Sequence, residues 1–391
     1  MPELDVVVLG ATGFTGGLTA GYLARHAPDG CRWGLAGRSP SKLETVRSGL
    51  AAVDPALADL PLLHADVGDA ASLAELASRA RVVVTTVGPY LEWGEPVVAA
   101  CAAAGTDYVD LTGEPEFVDR MYLAHHETAV RSGARIVHSC GFESVPPDLG
   151  VLFTVQQLPQ GLPVRVRGLV RSNAAFSGGT LASALTAASR PGRSREAHAA
   201  RRRLEPRPQG RRVRAAAQRP HFDEVTGFWL VPLPMIDPLV VRRSAAALDR
   251  YGPDFSYGHY AAFRRLPVAV TGIAAAGALG LGAQVGPLRR WLVNRVPQGD
   301  GPSEERRARS SFSMRFVGEA GERRVITLVR GGDPGYTETA KMLAESALSL
   351  AFDDNPPTAG QVTPAVAMGE NLLARLAEAG LPFTVERTEE L

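Results

Sequence analysis

The sequence predicts an α/β protein in which a doubly wound parallel sheet is followed by a second α+β domain, inserted before C-terminal helices. One observation is that strand-like and helix-like segments alternate six times within residues 1–150. Such alternation is typical of a parallel sheet with helices on both faces. The other is a glycine-rich turn at residues 9–16. We expect three parts, at residues 1–150, 151–330 and 331–391.

The glycine-rich turn joins a short apolar strand around residues 6–8 to a segment with helical spacing at residues 18–26. Gly10 permits a tight turn, Gly13 lets the backbone approach a ligand, and Gly16 lets the helix and strand pack closely. The N–H groups at the start of such a helix bind phosphate. This Rossmann-type turn predicts dinucleotide contacts for Gly10, Ala11, Thr12, Gly13, Phe14, Thr15 and Gly16.

The second strand, at residues 32–39, ends where a dinucleotide fold places the adenosine ribose. An acidic residue there would bind the ribose 2′-hydroxyl of NAD. This chain has Arg38, Ser39 and Lys42 instead. Two cations and a hydroxyl suit a 2′-phosphate, so the sequence favours NADP over NAD. The alternative is that Arg38 is only a solvated loop residue.

Later strand ends supply the rest of the predicted cofactor site. Asp66 is expected either to reach the adenine edge or to cap the helix of residues 70–80. Gly88 follows the apolar strand of residues 81–87 and would let the backbone lie along the nicotinamide ribose. The added cofactor contacts are Asp66, Gly88, Pro89, Tyr90, Cys140 and Gly141.

Candidates for catalysis are selected by their position beyond the carboxyl ends of the strands, where such folds bind ligands. Tyr90 and Glu143 are the two candidates for a proton donor or electrophile. The alternatives are that Tyr90 is a packing aromatic and that Glu143 caps a helix. Spacings typical of metal ligands, of a serine nucleophile elbow or of a Tyr-x-x-x-Lys pair are absent from the sequence. The same criterion also selects Glu114, Cys140 and Asp148.

Further motifs are distributed along nearly the whole chain. They are the glycine-rich turn, Gly88-Pro89-Tyr90, the segments at residues 108–114, 140–146 and 331–336, and the shorter ones at 340–342 and 363–365. Together they resemble the saccharopine dehydrogenase-like oxidoreductases, most closely the branch with the bacterial trans-acting enoyl reductases and a vertebrate saccharopine dehydrogenase-like oxidoreductase. The resemblance implies a dinucleotide-binding N-terminal domain, a second α+β domain, a returning helix after residue 333, and a reductase of enoyl or keto groups.

The second domain is predicted from alternation at residues 164–171, which places Arg165, Arg167 and Arg171 on one strand face. That face either meets solvent or binds an anionic substrate. Residues 177–180 would open a helix at 181–188, and its N-terminus is either capped by Thr180 or binds an anion. The apolar, aromatic stretch 222–239 is expected to roof the nicotinamide.

Two segments of the second domain have unusual compositions. Residues 190–219 contain eleven arginines and two glutamates, which predicts a mobile, solvated loop or a contact with an anionic partner. Residues 266–286 contain no charge, but eleven of these 21 residues are alanine or glycine. This stretch therefore predicts a helix that is buried or contacts a membrane surface peripherally, not one that spans it. The C-terminal part is predicted as a helix from Asp333 and another at residues 364–379.

The overall composition excludes several classes of protein. The net charge of +1 gives no field that would attract nucleic acid. Three widely spaced cysteines indicate neither a disulfide framework nor a zinc site, and acidic residues near the N-terminus are unlike a secretory signal. We expect a cytoplasmic protein, with contact to the inner face of the plasma membrane and a homodimer left open.

Two classes of function fit this sequence. The first is an NADPH-dependent oxidoreductase that reduces an enoyl or keto group of a small-molecule or lipid-derived substrate. The second is a non-catalytic NADP-binding protein associated with a membrane. An amino-acid dehydrogenase of the saccharopine type is a third, less favoured hypothesis, because it would need several cations to hold a multiply charged substrate.

Overall fold

The protein is represented by a computed structural model, which describes residues 2–174, 185–186, 189–233, 235–272, 282 and 301–391. Within these ranges the chain forms a seven-stranded parallel sheet and an eight-stranded mixed sheet. The predicted fold class is therefore confirmed.

The first sheet contains only parallel pairs, in the order β14-β6-β5-β4-β1-β2-β3. On β1, Val6 and Val8 join one buried cluster while Val7 and Leu9 join another, so the strand is covered on both faces and can be apolar throughout. The order reverses between β1 and β4, which is where such sheets bind their ligands. The strands are β1 Leu4–Leu9, β2 Trp33–Gly37, β3 Leu62–His64, β4 Ala80–Thr85, β5 Asp107–Val109, β6 Arg135–Val137 and β14 Gly360–Val362.

The helices of this domain agree with the sequence at most positions. The sequence predicts helices at residues 95–104 and 115–132, and α5 and α6 have these bounds. The sequence also predicts a strand over residues 135–139, but β6 ends at Val137, and Ser139 has a φ of +62° that does not fit a strand. The helices are α1 Phe14–His26, α2 Pro40–Ala51, α3 Ala70–Arg79, α4 Tyr90–Trp93, α5 Glu95–Ala104, α6 Pro115–Ser132 and α7 Val145–Gln156.

The second sheet has the order β15-β13-β12-β7-β11-β10-β9, with β8 also paired to β11. Helix α7 covers its inner face so closely that a Cβ at Gly150 would lie 2.2 Å from the ring of Phe316. The strands are β7 Val164–Ser172, β8 Arg212–Ala215, β9 His221–Asp223, β10 Phe228–Pro232, β11 Asp254–Phe263, β12 Phe312–Ala320, β13 Arg323–Gly331 and β15 Thr384–Glu390. The helices are α8 Pro191–Leu204, α9 Asp237–Ala247 and α10 Glu304–Ala308, with 3-10 turns at Pro55–Asp59 and Asp249–Tyr251.

The C-terminal part contributes to both sheets. Helix α11 Thr337–Phe352 packs against α1 and β4, β14 extends the first sheet and β15 extends the second. Helix α11 begins later than predicted because the Asp333 carboxylate accepts hydrogen bonds from the N–H groups of Gly335 and Thr337. The single helix predicted at 364–379 is two, α12 Pro364–Ala367 and α13 Gly369–Glu378, and Gly369 has a φ of +44° at the break.

The basic segment 190–219 is not the mobile loop that its composition predicted. It forms α8, which packs against α6, and β8 in the second sheet. Arg190 binds Glu116 at 2.7 Å, and the buried Arg201 pairs with Asp119. Glu116 and Asp119 neutralise these two arginines, although they lie far from them in the sequence. The composition of the segment alone was therefore misleading.

Several predictions fall on the parts of the chain that lie outside the described residues. They are the turn at 177–180, most of the helix at 181–188, and most of the apolar stretch 266–286. Of that stretch, residues 266–272 are helical. Within the described ranges, no helix has the length and apolarity needed to cross a membrane.

Candidate functional site

The glycine-rich turn has the backbone geometry of a phosphate cradle. Gly10 has a φ of +87°, and a Cβ there would lie 2.8 Å from the hydroxyl of Thr86. A Cβ at Gly16 would lie 2.2 Å from the carbonyl oxygen of Gly10. Both positions therefore require glycine for steric reasons.

The N-terminus of α1 is available to an anion. Its N-cap is Gly13, which supplies no capping side chain, and its first turn contains no acidic residue. Ala11 is buried, Thr12 and Gly13 are exposed, and Phe14 and Thr15 are half-buried. Because the free N–H groups and the positive end of the helix dipole remain uncapped, the turn fits the pyrophosphate of a dinucleotide.

The residues expected at the 2′-phosphate lie at the start of α2. Arg38 and Lys42 are exposed, and neither forms an ion pair with a residue that the structure describes. The Ser39 hydroxyl does not cap α2 and lies 3.4 Å from that of Ser41. The two cations are thus free to bind a phosphate at this edge of the first sheet.

The structure separates the two hypotheses for Asp66. Its carboxylate accepts a hydrogen bond from the Gly68 N–H at 2.9 Å. The cap of α3 is Asp69, which accepts from the Ala71 N–H at 3.0 Å. The capping alternative for Asp66 was therefore wrong by three residues, and its contact with adenine stays a prediction.

Tyr90 follows the exposed Gly88 and the half-buried Pro89, and its own hydroxyl is buried and engaged by the backbone. It donates to the carbonyl oxygen of Thr85 at 3.1 Å and accepts from the Leu111 N–H at 3.2 Å. Burial raises the pKa of this phenol well above its usual value. Proton donation by Tyr90 would require these two hydrogen bonds to break, so the geometry favours the alternative of a packing aromatic.

The ends of β5 and β6 are joined by a buried carboxylate that the sequence analysis did not select. Asp110 accepts hydrogen bonds from the Tyr108 hydroxyl at 2.9 Å and the Ser139 N–H at 2.8 Å, and it lies 2.6 Å from Nδ1 of His138. Glu114 is also buried and accepts from the N–H of Tyr90 at 3.1 Å. These contacts fix the loops that border the expected nicotinamide position.

Cys140 and Gly141 are enclosed by protein. The Cys140 thiol is fully buried, its pKa is raised well above the usual range by burial, and it contacts the carbonyl oxygen of Val137 at 3.4 Å. A Cβ at Gly141 would lie 2.8 Å from Leu111. Their predicted contact with the cofactor gains no support from this arrangement, in which both residues pack the interior.

Asp148 is the junction of three helices. It accepts hydrogen bonds from the Ser244 hydroxyl at 2.5 Å and the Ala365 N–H at 2.8 Å. Burial raises its pKa to about 6. Because the carboxylate ties α7 to α9 and α12, we assign it a structural role.

Glu143 is half-buried and interacts electrostatically with a carboxyl group from the second domain. Its charge contributes to raising the pKa of Asp237, although burial is the larger cause, and it also acts on Tyr90. Ile236 and Leu239, on either side of Asp237, pack against Val118 near the start of α6. The residues that flank Asp237 therefore contact the N-terminal part of α6, the helix that follows β5 in the chain.

Asp237 heads a buried polar chain that the sequence analysis missed. Its Oδ1 lies 3.9 Å from Nε2 of His259, and its buried Oδ2 has no hydrogen-bond partner among the described residues. The Tyr257 hydroxyl lies 2.8 Å from Nδ1 of His259, and burial lowers the pKa of that imidazole to about 3. Burial also raises the pKa of the Tyr257 hydroxyl, so both groups of this hydrogen bond are neutral, and the other ring nitrogen, Nε2, faces Asp237. No local motif marks these residues.

Residues from late in the chain border the glycine-rich turn. The ring of Tyr336 meets that of Phe14 edge-on at 5.0 Å, and the Arg307 guanidinium lies 5.3 Å from the Phe14 ring centre. One Nη of Arg307 donates to the carbonyl oxygen of Pro302 at 2.9 Å. Its buried Nε has no hydrogen-bond partner in the described part of the chain. A cation with an unused donor beside the turn also fits a bound dinucleotide phosphate.

The predicted aromatic roof is only partly correct. Phe222 is 47% exposed and contacts Trp229, with ring centres 5.4 Å apart. Phe228 packs into a separate cluster on the second sheet. Only the end of the stretch, around Leu239, reaches the first domain, because β9 and β10 form a hairpin at the far edge of the second sheet.

Comparisons with known proteins identify the family of this chain. A sequence profile for the saccharopine dehydrogenase NADP binding domain matches residues 6–137. A trans-acting enoyl reductase of Mycobacterium tuberculosis is 39% identical, and one of Mycobacterium ulcerans 38% identical, each over 98% of both chains. The saccharopine dehydrogenase (L-Glu forming) of Saccharomyces cerevisiae shares the fold, with a TM-score of 0.56 at 12% identity over 99% of this chain and 100% of its own. The chain thus belongs to the saccharopine dehydrogenase-like oxidoreductases, in the branch of the trans-acting enoyl reductases, and is an NADP-dependent oxidoreductase.

Proposed function

We propose that this protein reduces the carbon–carbon double bond of a lipid-derived enoyl substrate with NADPH. The observation that carries the proposal is the identity of 38–39% with trans-acting enoyl reductases over nearly the whole chain. The site supports it through a buried carboxyl group, Asp237, whose neighbours Ile236 and Leu239 pack against α6 of the cofactor domain.

The reaction needs a hydride at one carbon and a proton at its neighbour. NADPH supplies the hydride when it is bound. The turn at residues 10–16 and the cations Arg38, Lys42 and Arg307 would hold the cofactor, and Phe14 fixes the position of Arg307. These residues would position the cofactor and supply charge, which is the usual role of the protein in such chemistry.

The proton is assigned to Asp237. Burial, and to a smaller extent the charge of Glu143, raise the pKa of this carboxyl group well above its usual value, which favours the protonated form that would donate to the α-carbon of the acceptor. His259, whose Nε2 lies 3.9 Å from Asp237 Oδ1, would help to orient the carboxylate, and a proton from solvent would restore the acid. Apolar contacts of Ile236 and Leu239 with Val118 keep water from this side of the group.

The acidic surroundings also argue against a saccharopine-type substrate. The side chains that act electrostatically on Tyr90 and Asp237 include Glu114, Glu143 and Asp110, all of them carboxyl groups. A substrate with several carboxylates would be repelled there. A neutral thioester or ketone would not.

The test is consumption of NADPH with a panel of trans-2-enoyl thioesters, 3-keto thioesters and the amino-acid precursors of saccharopine. We expect turnover of enoyl thioesters. Asp237→Asn should lower kcat about 10²- to 10⁴-fold at unchanged NADPH affinity. Asp249→Asn, whose side chain is 97% exposed, is the matched control and should leave kcat unchanged. Turnover of the amino-acid pair alone would reject the proposal.

A further inference from the structure

A cavity lies on the outer face of the second sheet, away from α7. Its volume is about 400 Å³, and Val225, Phe228 and Ile326 supply apolar walls. Thr226, Glu386 and four arginines line the rest, and three of these arginines, Arg171, Arg264 and Arg315, come from neighbouring strands or directly follow one. The function proposed above does not use this cavity.

The strand register explains why these arginines converge. Arg171 on β7 pairs with Ser313 on β12, so Arg315 is its diagonal neighbour on the same face. Arg264 directly follows the last residue of β11, which is the other neighbour of β7. Three adjacent strands thus each bring one arginine to the same cavity.

The cations are only partly neutralised. Arg315 binds Glu386 at 2.6 Å. No described carboxylate lies within ion-pair distance of Arg171 or Arg264, and the Arg171 guanidinium lies 4.7 Å from the centre of the Phe228 ring. Burial, and then the charges of Arg264 and Arg315, lower the pKa of Arg171. The site therefore has an unmet preference for an anion.

Exposed aliphatic side chains stand beside the cavity. Helical residues 266–272 begin two positions after Arg264. Leu266, Val268 and Val270 of this segment are 44%, 53% and 54% exposed. Apolar side chains next to cations are typical of a protein surface that lies at the boundary between the headgroups and the acyl chains of a membrane.

We propose that this face docks on an anionic membrane, with a phospholipid phosphate in the cavity of Arg171, Arg264 and Arg315 and with Leu266 and Val270, which share one side of their helix, among the acyl chains. The occupant is not a second copy of this chain, because a two-fold contact would set the arginine cluster against itself. A purely acidic protein would leave the aliphatic side chains unexplained. The face would bring the enzyme to the surface where lipid-derived substrates are found, but the proposal does not depend on catalysis.

The test is flotation of the full-length protein with vesicles of phosphatidylcholine alone and of an equimolar mixture with phosphatidylglycerol. We expect binding only to the anionic vesicles, and release by high salt. The double variant Arg171→Gln/Arg264→Gln should lower the partition coefficient about thirtyfold. Leu266→Gln/Val270→Gln should lower it as well, because these side chains enter the acyl region.

The matched control is Arg165→Gln/Arg323→Gln, which removes two exposed arginines of the same sheet that do not line the cavity. It should bind anionic vesicles nearly as well as the unmodified protein. Equal losses in both double variants would show a general charge effect and overturn the proposal. So would an unmodified protein that never floats, or stabilisation by inorganic phosphate through Arg171 and Arg264 without vesicle binding. Unchanged thermal unfolding and NADPH affinity in the variants establish that they fold.

Discussion

Gly16 lies against Gly10 so closely that a Cβ atom at position 16 would be 2.2 Å from the Gly10 carbonyl oxygen. Gly13, between them, has a different environment. It is exposed, and the nearest atom to a Cβ there would be the same oxygen at 3.4 Å, an ordinary contact. Packing therefore requires glycine at position 16, whereas the space at position 13 faces the expected phosphate.

This difference predicts opposite phenotypes for two variants. Gly13→Val should fold with an unfolding temperature within a few degrees of the unmodified protein, yet NADPH should no longer stabilise it, because the side chain fills the space of the pyrophosphate. Gly16→Ala should lose about 1–3 kcal/mol of stability through overpacking. Thermal unfolding with and without NADPH measures both effects. Gly17→Ala, at a roomy helical position, is the control, and NADPH stabilisation of Gly13→Val would mean that the phosphate binds elsewhere.

Arg38 should set the preference for NADPH over NADH. A lost charge-assisted hydrogen bond is worth about 1.5–3 kcal/mol. Arg38→Ala should therefore weaken NADPH about 10- to 100-fold and leave NADH nearly unchanged. Calorimetric titration with both cofactors measures this, with the exposed Arg25→Ala as control. Equal affinities for the two cofactors in the unmodified protein would contradict the assignment.

Arg307 should act on the part of the cofactor that NADPH and NADH share. Its unused Nε lies beside the turn that is expected to hold the pyrophosphate. Arg307→Gln should weaken both cofactors by the same factor, about 10-fold or more. Its exposed neighbour Arg306 provides the control variant Arg306→Gln. An effect on NADPH alone would move Arg307 to the 2′-phosphate instead.

Asp148 should make stability depend on pH. Its pKa of about 6 in the folded protein exceeds the value of about 3.9 expected when unfolded. The folded protein therefore binds this proton more tightly, so its contribution to stability is largest below about pH 4 and is lost as the pH rises through about 6. Asp148→Asn should reduce the fall in the free energy of unfolding between these values by up to about 3 kcal/mol. Denaturant unfolding at a series of pH values checks this, against the exposed Asp29→Asn, and identical profiles would contradict it.

Local chemistry in the sequence predicted the cofactor domain well. The side chains of Val6, Val7 and Val8 alternate between two buried clusters, as expected of a strand covered on both faces. Pro115 at the start of α6 and Gly133 directly after it mark the two ends of that helix. The three-residue strand β14 was too short to leave a periodic pattern.

Contacts between distant residues could not be predicted in this way. Arg190 and Arg201 looked unpaired because their partners Glu116 and Asp119 lie in α6. Asp237 and His259 lie 22 positions apart, and only the second sheet brings them together. Tyr90 was selected for its position at a strand end, but only the structure shows that its hydroxyl is bound to Thr85 and Leu111.

We propose that this oxidoreductase transfers hydride from NADPH to an enoyl group. The most direct test of this proposal is mass spectrometry of the product formed from NADPH deuterated at the transferred position and a trans-2-enoyl thioester. We expect a saturated thioester with one deuterium atom at the β-carbon and one hydrogen from solvent at the α-carbon. We also expect the Asp237→Asn variant to form much less of this product. A thioester recovered without deuterium, or with the deuterium at the α-carbon, would contradict it.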